Sequence, residues 1–233
     1  MTFLMATFIN VSPVVSESLS ENDIKKLALE AILENPQIVM DAINLLRDLD
    51  EANKETSKKQ AYLNNKEILT TDVNAPSYGS PDADITIVEF FDYNCGYCKR
   101  SFPELMGLIS DNKDIKVILK ELPVLGESSI LASKASIASL KQDKYFVMHQ
   151  ELINFSGQIT INDIINISKK VGINYEQLKT DMNKEETILL IKENYRLADL
   201  IGVRGTPAFI INKELIPGAI GKEDMIEILK NGK

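Results

Sequence analysis

Cys95 and Cys98 are the only two cysteines in the chain, and they stand as Cys95-Gly96-Tyr97-Cys98. Just before them runs an apolar, β-branched stretch (Ile85, Ile87, Val88, Phe90, Phe91) that reads as a buried strand. A helix is expected to start immediately after. A Cys-x-x-Cys pair at a strand-to-helix junction suits thiol–disulfide exchange. The first thiol meets the free N–H groups and macrodipole of the helix start, which favour its thiolate. The second lies one turn along, within reach of a small disulfide loop.

Other uses of two cysteines fit less well. A four-cysteine zinc site is impossible in one chain, and the single histidine, His149, would leave a Cys/His site one ligand short. Haem attachment needs histidine directly after the second cysteine, where Lys99 stands. A structural disulfide would more usually close a longer loop. A Cu(I) site on the two sulfurs, a metal site shared between subunits and an idle pair stay open. His149 itself lies on a mostly apolar helical face and is expected to be packed rather than to act as base or ligand.

The elements that must position the pair follow in order. Residues 77–82 (Ser-Tyr-Gly-Ser-Pro-Asp) are rich in turn formers and read as a loop. A strand is predicted over about 85–91, then a helix kinked at Pro103, then a strand over 115–119. Strand–helix–strand at this spacing implies parallel pairing through a right-handed crossover. Residues 127–200 read as helices throughout, with Gly157, Gly172 and Gly202 as punctuation. The chain returns to strand at Gly205-Thr206-Pro207-Ala208-Phe209-Ile210-Ile211-Asn212, turns tightly at Asn212-Lys213 and ends in an amphipathic helix carrying Met225, Ile226 and Leu229. Pro207 cannot donate a ladder bond, and its place suits a cis peptide.

Ahead of this lies a helical region. Ser20 with Asp23 makes a capping box for a first helix whose apolar face is Ile24, Leu27, Ala28, Ala31 and Ile32. Asn35-Pro36 opens a second, along which Ile38, Ala42, Leu45, Leu49 and Ala52 form a heptad-like seam. After Glu51 the sequence turns polar without Gly or Pro until Pro76, an exposed helical extension or linker. The seam is expected to join subunits. Residues 1–16 are apolar and uncharged and resemble a secretory signal, although no basic residue precedes Lys25. They are too short to span a bilayer. At 233 residues and 44% hydrophobic, the chain can bury a sizeable core. Its net charge of −8 argues against general nucleic-acid binding.

Taken together, Glu89-Phe90-Phe91-Asp92-Tyr93-Asn94-Cys95-Gly96-Tyr97-Cys98, Gly205-Thr206-Pro207-Ala208-Phe209 and the helices between them resemble the DsbA-like thioredoxin-fold family over about residues 77–231. The suppressor-of-copper-sensitivity C group, which includes trimeric disulfide isomerases, is especially similar. The expected fold is thus α/β, a thioredoxin fold with a helical insertion at about 127–200 and an N-terminal helical oligomerisation segment and linker over 17–70. The resemblance implies that Cys95 is the exposed nucleophile and Cys98 the buried resolving thiol. It implies that Thr206-Pro207 is the cis-proline loop beside them, where the Thr206 backbone can bond an extended substrate. It assigns Glu89 as the acid beneath the site that relays a proton to or from Cys98; otherwise Glu89 is a partly exposed strand-end carboxylate.

Strong oxidases of this family carry Pro-His between the cysteines. Gly96-Tyr97 implies a Cys95 pKa less extreme than the ~3.5 of the most oxidising member. The potential should then lie nearer the isomerases than the about −120 mV oxidant. The resemblance therefore implies a periplasmic protein disulfide isomerase or reductase acting on disulfide-containing exported proteins. It would be a homo-oligomer, with a trimer favoured, and kept reduced by a membrane thiol reductase. No cofactor, resident metal or nucleic acid is expected. The alternatives are a monomeric dithiol oxidase, a Cu(I) carrier, or a scaffold with a vestigial fold.

Overall fold

Residues 19–71 and 75–231 are described here from a computed structural model. Five short segments form one sheet: β1 (Ser77–Gly79), β2 (Ile85–Phe91), β3 (Ile115–Glu121), β4 (Ala208–Ile211) and β5 (Glu214–Pro217), in the order β1-β3-β2-β4-β5. The helices are α1 (Glu21–Glu34), α2 (Gln37–Thr70), α3 (Gly96–Asp111), α4 (Glu127–Ser139), α5 (Tyr145–Ile153), α6 (Ile161–Val171), α7 (Tyr175–Asp181), α8 (Glu185–Leu200) and α9 (Lys222–Asn231).

β2 and β3 pair in parallel, Ile85 opposite Ile115 and Phe91 opposite Glu121, with α3 as the crossover. β4 runs antiparallel to β2, Phe90 opposite Ala208. The β4–β5 hairpin turns at Asn212-Lys213, both with positive φ (52° and 71°), the geometry of a primed two-residue turn. Side chains alternate across the sheet, and the two faces bury different helices. Ile87, Phe91, Val117, Leu119, Phe209 and Ile211 join a core with residues of α3 to α7 and α9. Val88, Phe90, Ile118, Ala208 and Ile210 join Tyr62 and Leu69 of α2 and Leu197 and Ala198 of α8. This is the thioredoxin-like α/β fold expected, its helical insertion lying between β3 and β4.

Two details differ from expectation. The stretch read as a loop at 77–82 supplies β1, which pairs antiparallel with β3 through Tyr78 and Val117. Three residues including Ser77 and Gly79 carry no strand periodicity, so the free edge of β3 organises them. Gly79 is required there: at φ +92° a Cβ would stand 2.1 Å from the Ile115 carbonyl oxygen. Within the insertion, a separate short helix, α7, is capped by Asn174, whose side chain accepts from the Gln177 N–H. α2 runs unbroken through the polar stretch to Thr70.

The chain divides into two units between Asn53 and Lys54, inside α2. In the first, α1 starts with the Ser20–Asp23 capping box, and the apolar residues Ile24, Leu27, Ile38, Leu45 and Leu49 are all exposed. In the second, Tyr62 and Leu69 are buried, so the last turns of α2 belong to the sheet's core. The signal-like segment lies outside the described residues. Among those described, no helix is long and apolar enough to cross a membrane. Leu69→Ala is expected to destabilise the sheet-bearing unit by about 2–5 kcal/mol. Leu49→Ala, on the exposed seam, should change it by under about 0.5 kcal/mol. Denaturant titration of both variants checks the contrast.

Candidate active site

The β2–β4 register assembles the site. With Phe90 opposite Ala208, the turn that follows β2 lies beside the loop that precedes β4. Cys95 and Thr206, 111 positions apart, therefore meet: the Cys95 thiol donates to the Thr206 carbonyl at 3.1 Å. The Thr206–Pro207 peptide bond is cis. Both cysteines are free thiols. Cys95 occupies the N-cap of α3 with extended backbone (φ −76°, ψ 113°). It exposes 6% of its surface and Cys98 1%, so Cys95 is more enclosed than an exposed nucleophile would be. Tyr97 between them is 60% exposed, with Arg100 stacked on its ring at 4.3 Å.

The two sulfurs have opposite electrostatics. Hydrogen bonding from the Cys98 thiol, then from the N–H groups of Cys98 and Tyr97 in the first turn of α3, brings the Cys95 pKa down to about 5 despite partial burial. The thiolate is then the prevailing form at pH 7. That value sits above the ~3.5 of the most acidic thiol of this type. Cys98 is pushed far up by burial, by its bond to Cys95 and by the Glu89 carboxylate. One sulfur is thus ready to attack while its neighbour keeps its proton.

Glu89 lies in the middle of the sheet, between Leu119 of β3 and Phe209 of β4, and is buried. It is not a strand-end carboxylate. Burial, then the charge of Cys95, raises its pKa to about 8. Pro207 and Thr206 stand beside Cys95, while Glu89 lies close enough to couple to both sulfurs.

Two residues of the motif beyond those predicted hold it in place. Asp92 is fully buried and accepts from Asn94 N–H (2.7 Å), Ser129 Oγ (2.7 Å) and Leu125 N–H (3.0 Å), while its own carbonyl accepts from Cys95 N–H (3.1 Å). One carboxylate thereby ties the cysteine turn to the start of α4. Tyr93 is the hub of a second network. Its phenol lies 3.0 Å from Glu121 Oε1, 2.7 Å from Ser136 Oγ and 2.8 Å from His149 Nδ1. A phenol has one proton, so the three contacts cannot all be its donations: Tyr93 donates to Glu121 or Ser136, and the Nδ1–H tautomer of His149 donates to the phenol oxygen. Tyr145 also donates to Glu121 Oε1, at 3.0 Å. His149 is enclosed by Phe91, Phe102 and Tyr145, and burial lowers its pKa to about 3. It is the packed, neutral histidine expected. The sequence signalled neither network, since each partner comes from a different element. Among the described residues no group of three or more His, Cys, Asp or Glu could hold a metal.

A thioredoxin sheet with a dithiol at a helix start and a cis-proline loop beside it is the frame of the thiol–disulfide oxidoreductases. The model of the DSBA-like thioredoxin domain matches residues 86–230, and the chain belongs to the DsbA-like thioredoxin family. A thioredoxin-like oxidoreductase from Silicibacter pomeroyi DSS-3 is 36% identical, with TM-score 0.70, over 72% of this chain and 96% of that one. A linker-deletion mutant of Proteus mirabilis ScsC is 26% identical with TM-score 0.70, covering 94% of this chain and 98% of that one. Disulfide bond formation protein D of Bacillus subtilis is 25% identical over 167 residues, 66% of this chain and 75% of that protein. The curated relatives matched first are much longer: the chain spans 21% of the Na(+)/H(+) antiporter NhaA 1 of Salinispora arenicola, at 26% identity over 136 residues.

Thiolate absorbance of the reduced protein should titrate with a midpoint near pH 5. Because the folded pKa lies below the ordinary 9.0, the thiolate's full stabilising contribution is present above that value and is lost as pH falls toward 5. Glu89 has the opposite sign. Its pKa is raised from 4.5 to about 8, so the stability it contributes at low pH is lost as pH rises between those values. Glu89→Gln should flatten that part of a melting-temperature profile. Tyr93→Phe removes the shared hydroxyl and should cost about 1–3 kcal/mol in denaturant titrations, by leaving buried polar partners unsatisfied.

Proposed function

We propose that the protein is a disulfide isomerase or reductase of exported proteins, acting in the periplasm through Cys95. The observation that carries this reading is the pair of opposed sulfurs, a Cys95 thiolate at the start of α3 and a Cys98 that holds its proton. The Cys95 thiolate attacks one sulfur of a substrate disulfide; that S–S bond breaks, a mixed disulfide forms and the other substrate sulfur leaves as thiolate. A second substrate thiolate then attacks the mixed disulfide, making a new substrate bond and releasing the Cys95 thiolate. No electrons are gained or lost overall.

When no substrate thiol arrives, Cys98 resolves the complex. The fraction of Glu89 that is ionised takes its proton, a fraction that grows as pH rises toward about 8; the Cys98 thiolate attacks the Cys95 sulfur, and a Cys95–Cys98 disulfide forms as the substrate leaves reduced. Two electrons have then passed from enzyme to substrate, and a membrane thiol reductase must return them. In both steps Thr206 and Pro207 border the Cys95 sulfur, and a proline N–H is absent from that edge.

The isomerase preference is supported by Gly96-Tyr97, which leaves Cys95 without a histidine partner, and by the exposed apolar faces of α1 and α2. Those faces would join subunits, with a trimer favoured, and set several active sites around one substrate. A dithiol oxidase is the second reading, favoured by the similarity to a disulfide bond formation protein.

Refolding of scrambled ribonuclease separates the two. Full-length protein should restore ribonuclease activity as a small oligomer, and a chain lacking residues 17–53 should be monomeric and lose most of that activity. A monomer that rapidly oxidises reduced ribonuclease but cannot unscramble it would establish the oxidase instead. Tight binding of one cuprous ion with neither activity would establish a Cu(I) carrier on Cys95 and Cys98.

A further inference from the structure

A cleft of about 900 Å³ opens on the α8 side of the sheet, beside the Thr206–Pro207 loop. Its floor includes Ala208 and Ile210 of β4 and Leu215 of β5, and the stretch of α2 from Glu55 to Tyr62 lines it too. The α2 wall is held close: a Cβ on Gly202 would stand 3.0 Å from the side chain of Lys58, so the lysine stem lies against bare glycine backbone. The exchange chemistry at the two sulfurs uses none of this α2 wall.

Three observations point to a polypeptide as its occupant. First, the cleft reaches Thr206, whose carbonyl is 3.1 Å from Cys95 Sγ, so a chain whose disulfide is under attack already lies at its end. Second, β5 is the outer strand of the sheet, leaving one edge without a ladder partner, and such an edge takes an extended segment by main-chain bonding. Third, the rim carries Lys58, Lys59, Arg204 and Lys213 beside Glu55 and Glu214, in a chain of net charge −8. Lys58 is paired with Glu55 at 2.6 Å and Arg204 with Asp199 at 2.6 Å. With those pairs set aside, Lys59 and Lys213 stand against Glu214, leaving the rim one positive charge in excess.

We propose that this cleft docks an extended segment of the disulfide-bearing polypeptide to one side of its reactive cysteine, and that acidic side chains are favoured there opposite Lys59 and Lys213. The inference rests on the exchange activity proposed above and gives it a sequence preference. The second half of α2 becomes a wall of the substrate site.

The test uses reduced full-length protein and three kinds of disulfide: neutral bis(2-hydroxyethyl) disulfide, a short cystine peptide, and the same peptide extended on either side of cysteine by acidic or by basic residues. Rates are taken as kcat/KM. On one side only, the acidic extension should react about ten-fold faster than the basic one, the size of two surface charge pairs. In a Lys59→Glu, Lys213→Glu double variant, the ratio of the acidic-peptide rate to that of the small disulfide should fall by about the same factor. Equal rates for extended and short peptides, or a charge preference untouched by the double variant, would overturn the docking cleft. Failure to reduce even the small disulfide would sink the exchange activity instead, so the two failures are distinct.

Discussion

The antiparallel pairing of β2 with β4 is the constraint on which the rest of the site depends. The cysteine turn is only an extension of one strand and the cis-proline loop only the lead into the other. Neither makes a site alone. Placing Phe90 opposite Ala208 brings Cys95 to the Thr206 carbonyl and sets Glu89 beside Phe209 on the same face. A slip of one residue would turn every side chain of β4 to the wrong face, because side chains alternate with period two. The buried alternation of Ala208, Phe209, Ile210 and Ile211 between two separate cores resists such a slip.

Around that register, burial and hydrogen bonding divide two chemically identical thiols. Cys95 meets donors at the start of α3, which stabilise its anion. Cys98 is one turn deeper, where desolvation and a nearby carboxylate oppose ionisation. Burial raises both Cys98 and Glu89, so the thiol and the carboxyl share one apolar environment. Asp92 and Tyr93 then tie this environment to the helical insertion through Ser129 and Ser136 of α4 and His149 of α5. The insertion thereby braces the turn that carries Cys95.

α2 links two regimes within one helix. Its first half presents Ile38, Leu45 and Leu49 to solvent, while Tyr62 and Leu69 in its second half are part of the sheet's core. Apolar faces of that kind favour burial against other chains.

Much of the fold and the heart of the site were legible in the sequence because their signals are local. A β-branched run meeting Cys-x-x-Cys, a Thr-Pro before an alternating strand, and an Asn-Lys turn each act within a few residues. The bounds of β2 and the β4–β5 turn followed from these signals. What only the tertiary structure decided depends on partners far along the chain. β1 exists because β3 has a free edge; Glu89 is buried because strands lie on both sides of it. The Tyr93 hub gathers groups 28, 43 and 56 positions away. No periodicity reports such contacts, since burial and polar satisfaction are properties of the assembled core rather than of any segment within it.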